Sequence, residues 1–351
     1  MNLNRFTTPR TARRLRLGVA ALGAAVVAVA VAIGAAPGQA ASHGYAKRAS
    51  ATLYNGTLSV SGTPAHDKIA LRLKAGDSGV LEVDAGDDGS ADFSFARSNV
   101  VRIVVNGRAG SDSLRIDESN GVFTDAIPTT LNGGAGTDTL AGGSGNERLL
   151  GGAGNDTIDG NRGADVAIMG SGADTFIWDP GDGSDTVEGQ SGHDTMVFNG
   201  AAASEQVDLS ANGRRLRFFR NPANITMDTA GVERVDFNAL GGADSVRINN
   251  LKGTDVREVN VDLAAALGGA TGDGQADRVT VVGTEGNDRI AVRGDSGAVK
   301  VSGLVPTVNV LHSDAALDGL EIDTLGGTDS FTSAGLAAGA IRLFVDGALV
   351  S

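Results

Sequence analysis

The sequence predicts an all-β protein with a central stack of short parallel strands. The 351 residues include 52 glycines but only 11 Phe, 2 Tyr and 1 Trp, a composition unlike that of a typical enzyme core. Short runs of Val, Ile, Leu and Thr alternate with clusters of Gly, Asp and Asn, which is typical of short strands joined by tight turns. A nine-residue motif also recurs in the middle of the chain. The regions on either side of it are expected to be β-rich, as irregular solenoid or sandwich segments.

Residues 1–41 are predicted to be an export signal. Arginines crowd the first 16 residues, an uncharged apolar run follows from Leu17 to Ala36, and the small residues Gly38 and Ala40 precede the expected cleavage point. The mature protein would therefore be secreted and extracellular. An uncleaved membrane anchor is the alternative, because the apolar run is 20 residues long and could span a bilayer. No span is expected in the mature chain.

The mature chain is strongly acidic and lacks cysteine. Removing residues 1–40 takes away five arginines and no acidic residue, so the net charge changes from −13 to −18. Such a charge disfavours nucleic acid and anionic membranes as partners and favours cations. Without cysteine no disulfide can stabilise an exported fold, and bound metal is a common substitute.

The repeats divide the mature chain into a β region at 42–130, a repeat array at 131–200 and a second β region at 201–351. Seven units of nine residues lie between Gly133 and Val197, and Trp178-Asp179 is inserted before the last two. In chain order the units are GGAGTDTLA, GGSGNERLL, GGAGNDTID, GNRGADVAI, MGSGADTFI, PGDGSDTVE and GQSGHDTMV.

Each unit follows the pattern G-G-x-G-x-D-x-U-x, in which U is apolar. The glycines permit a tight chain reversal, and the last three residues form a short strand that turns its U side chain inward. One strand and one turn make half a circuit, so two units of 18 residues in all complete one. Residues 18 apart should therefore stack, with Asp138, Asp156 and Asp174 on one side and Glu147 and Asp165 on the other.

These stacked carboxylates predict calcium sites. Successive strands lie about 4.8 Å apart, and Ca²⁺ takes six to eight oxygens at about 2.3 to 2.6 Å, so one ion fits between two stacked acidic side chains. Glycine carbonyls of the turns can complete the shell. Without an ion, two such charges repel by about 1 kcal/mol in water and about 3 kcal/mol at an effective dielectric of 20. The predicted ligands are Asp138, Glu147, Asp156, Asp165, Asp174, Asp185, Asp194, Gly134, Gly136, Gly152 and Gly154.

The nonapeptides resemble those of the RTX (haemolysin-type) calcium-binding family. The resemblance implies a parallel β-roll with Ca²⁺ held in the turns and the array's aspartates as side-chain ligands. The fragments DPGDGSDTVEG, FFRNPANITMD and TGDGQAD are similar to those of secreted, multi-part RTX-like proteins from actinobacteria and other bacteria.

The flanking regions repeat a looser theme, in which G-x-D precedes an alternating apolar strand. Examples are GSDSLRI from Gly110 and GADSVRI from Gly242. Their aspartates are tens of residues apart, so spacing predicts turns and strands there and no metal column. Asn212-Gly213 predicts a hairpin turn. The nearby arginines are expected to pair with acidic neighbours, with a polyanion site as the alternative; they are Arg214, Arg215, Arg217 and Arg220.

No catalytic constellation stands out. The GDSG at Gly294 resembles a protease nucleophile loop, but none of the four histidines has a supporting signature, and neither H-E-x-x-H nor G-x-S-x-G occurs. We therefore expect a non-enzymatic extracellular calcium-binding protein with a structural, adhesion or surface and matrix role. An exported hydrolase or polysaccharide-modifying enzyme that carries the repeats as an accessory module is the alternative.

Overall fold

The computed structural model describes residues 48–295 and 297–351. The predicted export signal, and with it the alternative membrane anchor, lies outside these residues. In the described part the chain forms 29 β-strands and a single 3₁₀ turn at Arg97–Asn99. A search of the same residues for helices that are long and apolar enough to cross a membrane finds none.

Seven strands precede the repeat array. They are β1 (Ser50–Tyr54), β2 (Thr57–Ser61), β3 (Lys68–Lys74), β4 (Asp77–Ala85), β5 (Phe93–Ala96), β6 (Arg102–Ala109) and β7 (Ser113–Asp117).

Eight strands form the array itself. They are β8 (Thr129–Ala135), β9 (Thr139–Ala141), β10 (Arg148–Ala153), β11 (Thr157–Asp159), β12 (Val166–Gly172), β13 (Thr175–Trp178), β14 (Thr186–Gly192) and β15 (Thr195–Asn199).

Fourteen strands follow. They are β16 (Gln206–Asn212), β17 (Arg215–Asn221), β18 (Ile225–Ala230), β19 (Arg234–Asn238), β20 (Ser245–Ile248), β21 (Glu258–Asp262), β22 (Arg278–Val282), β23 (Arg289–Asp295), β24 (Ala298–Ser302), β25 (Thr307–Leu311), β26 (Gly319–Asp323), β27 (Ser330–Leu336), β28 (Arg342–Val345) and β29 (Ala348–Leu349).

The strands form two long, mostly parallel sheets. Sheet 1 has 15 strands in the order β1-β2-β6-β8-β10-β12-β14-β18-β17-β16-β20-β22-β26-β28-β29. Sheet 2 has 14 strands in the order β27-β23-β24-β25-β21-β19-β15-β13-β11-β9-β7-β3-β4-β5.

In the array the chain alternates strictly between the two sheets. Strands β8, β10, β12 and β14 lie in sheet 1, and β9, β11, β13 and β15 lie in sheet 2. The register confirms the predicted circuit, because Thr157 pairs with both Thr139 and Thr175, 18 residues away on either side. Beyond the two-residue insertion the step becomes 20, as in the pairing of Thr175 with Thr195. This arrangement is the predicted parallel β-roll.

A single column of apolar side chains from each sheet fills the space between the sheets. The U positions of all seven units are 0 % exposed; they are Leu140, Leu149, Ile158, Ala167, Phe176, Val187 and Met196. Leu131, Met169, Trp178 and Phe198 add to these columns, but six of the seven units bury a single apolar side chain. The core of the roll is therefore thin, and the turns and strand ladders must contribute much of its order.

The same stack continues into both flanks. Strands β6 and β7 pair with β8 and β9 at one end of the array, and β14 and β15 pair with β18 and β19 at the other. Antiparallel strands are added at five places, namely β1-β2, β3-β4-β5, β16-β17-β18, β23-β24-β25 and β28-β29. Of the two expected arrangements, the flanks thus form irregular solenoid rungs.

The predicted hairpin at Asn212-Gly213 is present. Leu209 pairs with Phe218 across β16 and β17, and Gly213 has a φ of +67° that suits the turn. Phe218 joins an aromatic cluster at the end of the array, where Trp178 stacks on Phe198 with ring centroids 4.0 Å apart. This cluster anchors the C-terminal flank to the roll.

Candidate metal centre

The acidic residue of every nonapeptide lies directly before a strand and beneath the turn of its own unit. On the sheet 2 side these residues form a column tied together by backbone hydrogen bonds. The N–H of Asp138 donates to Oδ1 of Asp156 at 2.8 Å, that of Asp156 to Oδ1 of Asp174 at 2.7 Å, and that of Asp174 to Oδ1 of Asp194 at 2.9 Å. The 18-residue stacking expected of these aspartates is therefore present.

A second column runs along the sheet 1 side. The N–H of Glu147 donates to Oδ1 of Asp165 at 2.6 Å, and the N–H of Asp165 donates to Oδ1 of Asp185 at 2.8 Å. Glu147 fits because its longer side chain still accepts a hydrogen bond within its own turn, from the N–H of Gly143 at 2.8 Å. The two columns contain all seven carboxylates that the sequence predicts as ligands.

Each of these seven side chains keeps one buried oxygen free of hydrogen bonds. The residues are at most 2 % exposed, and the unpartnered atoms are Oδ2 of the six aspartates and Oε1 of Glu147. A buried polar atom without a partner costs about 1–3 kcal/mol, and more when it is charged. All seven atoms occupy equivalent positions, and a bound cation would satisfy each of them.

In five of the seven units a glycine opens the turn beside the carboxylate. A Cβ on Gly151 would lie 2.5 Å from Oδ2 of Asp156 and 2.4 Å from the carbonyl oxygen of Met169 on the next rung. Any side chain would therefore cover both oxygens. Glycine therefore leaves a carboxylate and a carbonyl jointly open at Gly151, whereas Met169 and Pro180 take the equivalent position in two other units.

The four predicted glycine ligands lie in the tight part of the turns. Gly134, Gly136, Gly152 and Gly154 have φ values of +110°, +133°, +117° and +126°. Their carbonyls point along the stack, since a Cβ on Gly152 would lie 2.0 Å from Gly134 O, and one on Gly154 would lie 1.9 Å from Gly136 O. The turns thus present rows of backbone oxygens beside the carboxylate columns.

Burial raises the pKa values of the column carboxylates. Desolvation is the largest cause in each case, and neighbouring acidic groups add to it. It raises the pKa of Asp156 and of Asp194 to about 6, that of Asp185 to about 7 and that of Asp165 to about 9. The charged groups that act on Asp165 are all acidic, namely Asp185, Glu147 and Asp182. A divalent cation would relieve this repulsion.

The donor set fits calcium. In residues 48–295 and 297–351 no three His, Asp or Glu side chains lie close enough to enclose a metal by themselves, so each ion would take one or two carboxylates together with backbone carbonyls. Such all-oxygen shells suit Ca²⁺, whereas a structural zinc site needs four ligands, usually Cys or His. The seven carboxylates and the turn glycines would hold the ion, which supplies the missing positive charge.

The structure reveals column members that sequence spacing missed. Asp67 donates its N–H to Oδ1 of Asp112, and Asp112 donates to Oδ1 of Asp138. In the C-terminal flank a further column runs through Glu205, Asp244, Asp277 and Asp318. Of these added residues, the ones that also have a buried oxygen without a partner are Asp112, Glu205 and Asp244.

Two of these flank carboxylates, Asp67 and Glu205, accept hydrogen bonds from side chains within the protein. Oδ2 of Asp67 accepts from the N–H of Thr63 at 2.6 Å and from its hydroxyl at 3.0 Å. Glu205 forms a close, buried ion pair with Arg220. The predicted pairing of the arginine cluster is thus present at Arg220, and also at Arg215 with Glu188 and Asp228.

The comparison with protein families agrees with this geometry. Residues 130–146, 142–176 and 181–200 match the family described as RTX calcium-binding nonapeptide repeat (4 copies). Among curated proteins, no sequence matches the chain. The matched residues coincide with the two columns of unsatisfied carboxylates. The central part of this chain is thus an array of RTX nonapeptide repeats, which bind Ca²⁺.

Proposed function

We propose that this is an extracellular protein whose repeat array folds or stiffens on binding Ca²⁺ and serves a structural, adhesion or matrix-interaction role without catalysing a reaction. The observation that carries the proposal is the pair of columns in which seven buried carboxylates each keep one free oxygen. We assign the ligands to these carboxylates and to the carbonyls of the turn glycines. The flanks at 42–130 and 201–351 would be held in line by the array at 131–200.

The physical basis is a balance between a thin core and concentrated charge. Between Gly133 and Asn199 there are eleven acidic residues and two arginines, while six of the seven units add a single apolar side chain to the core. Binding of Ca²⁺ would remove the repulsion between the carboxylates and give each unpartnered buried oxygen a bond to the metal. The array would then act as a stiff spacer, because each rung is fixed to the next through a shared ion.

An extracellular setting suits such a device. The expected export signal would deliver the chain to a compartment rich in calcium, and extracellular calcium modules bind with Kd values of about 0.1 to 1 mM. Folding would then follow export. A half-saturation far below this range would count against that part of the proposal.

A cavity of about 590 Å³ beside the β3-β4 hairpin is lined mainly by charged side chains. Those side chains pair with one another: Arg72 with Glu82 at 3.4 Å, and Arg115 with Asp87 at 2.6 Å and with Asp117 at 3.2 Å. The carboxylates of this cavity are therefore committed to ion pairs.

The decisive experiment is a calcium titration of the mature chain after chelation. Far-UV circular dichroism would follow strand formation, the fluorescence of Trp178, the sole tryptophan, would follow packing at the end of the array, and calorimetry would give the melting temperature. We expect all three to change together and saturate with Ca²⁺, but not with Mg²⁺, which demands a smaller octahedral shell. An unchanged spectrum and melting temperature in EGTA would contradict the proposal.

A further inference from the structure

The turn Gly107–Asp112 lies one rung before the matched repeats and has their construction. It places its acid five residues after its opening glycine, as the unit Gly133–Asp138 does. The N–H of Asp67 donates to Oδ1 of Asp112 at 2.8 Å, and the N–H of Asp112 donates to Oδ1 of Asp138 at 2.7 Å. Asp112 is therefore a full member of the sheet 2 column.

The second oxygen of Asp112 is in the same state as those of the array. The residue is 2 % exposed, and Oδ2 is buried without a hydrogen-bond partner. A Cβ on Gly107 would lie 2.3 Å from this oxygen and 2.6 Å from the carbonyl oxygen of Gly133. The corresponding values at Gly151 in the array are 2.5 Å and 2.4 Å, so the two turns expose the same pair of oxygens.

Asp67, the neighbouring acidic residue of the column, shows that an unpartnered buried oxygen is not a general property of the fold. Asp67 is preceded by Gly62, whose Cβ would lie 2.7 Å from Oδ2 of Asp67 and 2.8 Å from Gly107 O. Here the oxygen is already occupied by the N–H and hydroxyl of Thr63, at 2.6 and 3.0 Å. At this end of the column the free oxygens therefore stop at Asp112.

We propose that Asp112 Oδ2 and the carbonyl oxygen of Gly133 are ligands of an additional Ca²⁺ site outside the nonapeptides. The inference rests on the proposed calcium-dependent function of the array and extends it by one rung. The site joins the N-terminal β region to the roll, because Asp112 directly precedes β7 while Gly133 lies in β8. Calcium thus orders part of a region that the family match does not include.

The test is the number of calcium ions bound per full chain, measured by equilibrium dialysis and elemental analysis. Asp112→Asn keeps an oxygen for the N–H of Asp67 but removes the charge, and should lose one ion. Asp67→Asn is the matched control on the neighbouring rung and should lose none. Asp156→Asn is the reference within the array and should lower the count. Circular dichroism and Trp178 fluorescence establish that each variant is folded.

The outcomes separate the two proposals. A wild-type chain that binds no Ca²⁺ overturns the proposed function itself. Loss of ions in Asp156→Asn with a full count in Asp112→Asn overturns only the additional site. Should Asp112→Asn fail to fold, crystals of the wild-type chain grown with Ca²⁺ decide the matter: an ion about 2.3–2.6 Å from Asp112 Oδ2 supports the site, and ions confined to residues 130–200 refute it.

Discussion

The N–H of Asp156 donates a 2.7 Å hydrogen bond to Oδ1 of Asp174, its counterpart 18 residues later. Each carboxylate of the column is therefore half satisfied by the rung before it and half open. The bonded oxygen fixes the position of the side chain, and the open one has no partner within the protein. The carboxylate side chains are already held in position without an ion, so binding needs little further ordering of them.

Asp156→Asn should change stability in opposite directions with and without calcium. In chelated protein near pH 8 the substitution removes a buried charge whose pKa is raised to about 6, and we expect the melting temperature to rise, because a neutral amide costs less to bury than a carboxylate. At saturating calcium the variant loses an ion, which would contribute about 2.7 kcal/mol at 100 times Kd. Differential scanning calorimetry in both conditions checks the inversion.

The control for this inversion is Asp125→Asn, which alters an exposed aspartate and should shift stability by less than about 0.5 kcal/mol in either buffer. Equal destabilisation of Asp156→Asn with and without calcium would mean that Asp156 serves packing and does not bind an ion.

The calcium-free protein should become less stable as pH rises. Folding raises the pKa of Asp185 from 3.8 to about 7 and that of Asp165 from 3.8 to about 9. Between the unfolded and the folded pKa of each group, the folded state binds more protons than the unfolded state. The free energy of unfolding therefore falls as pH increases from about 4 to about 9. Melting of metal-stripped protein across this range checks the slope. A melting temperature that rises with pH would contradict it.

Calcium binding should release protons over the same interval, because the ion needs ionised carboxylates. Affinity is therefore expected to fall as pH drops from 9 to 6. Titration calorimetry in two buffers of different ionisation enthalpy measures the number of protons released. Equal heats in both buffers would show that the ligands were already ionised.

Gly154→Ala should damage the fold far more than a glycine substitution in an open turn. Gly154 has a φ of +126°, and a Cβ there would lie 1.9 Å from Gly136 O, so the rungs must separate. We expect a loss of more than about 3 kcal/mol in urea unfolding. Gly213→Ala is the control, since its φ is +67° with nothing within 4 Å, and only the backbone cost of about 1–2 kcal/mol should appear.

Arg220→Met should destabilise the C-terminal flank whether or not calcium is present. Arg220 and Glu205 form a buried ion pair, with side chains 6 % and 0 % exposed, and removing one partner of such a pair costs about 3–5 kcal/mol. Arg217→Met is the matched control, because its pair with Asp208 is 3.6 Å long and its side chains are 40 % and 35 % exposed, and its loss should cost less than about 1 kcal/mol. Chemical unfolding followed by Trp178 fluorescence compares the two.

The array could be predicted from sequence because its period is constant. A fixed step of 18 residues assigns Leu140 and Ile158 to the core and Asp138 and Asp156 to one edge, and the structure confirms both assignments. The ligand assignment built on this stacking stays a prediction that calcium measurements must test.

Sequence spacing did not identify the flank columns because inserted segments change the step between column members: a loop at 118–128 before Asp138, and strands β17 and β18 before Asp244. Asp112 and Asp138 are 26 residues apart, and Glu205 and Asp244 are 39 apart. Which acidic residues stack depends on which strands pair, and the inserted segment lies between the paired strands in the sequence. The constant feature is local: five residues separate the start of the turn from the acid, as in Gly107–Asp112 and Gly200–Glu205. Searching for that offset would have found these members.

All hydrogen bonds within these columns run in one direction, from the N–H of an earlier turn to the carboxylate of a later one, as from Asp138 to Asp156. The last turn formed therefore presents an open N–H donor to the carboxylate of the turn that follows. If the chain emerges with its N-terminus first, the N–H donor of each completed turn is available when the carboxylate of the next turn emerges. Assembly can thus proceed in the order of emergence, one circuit at a time.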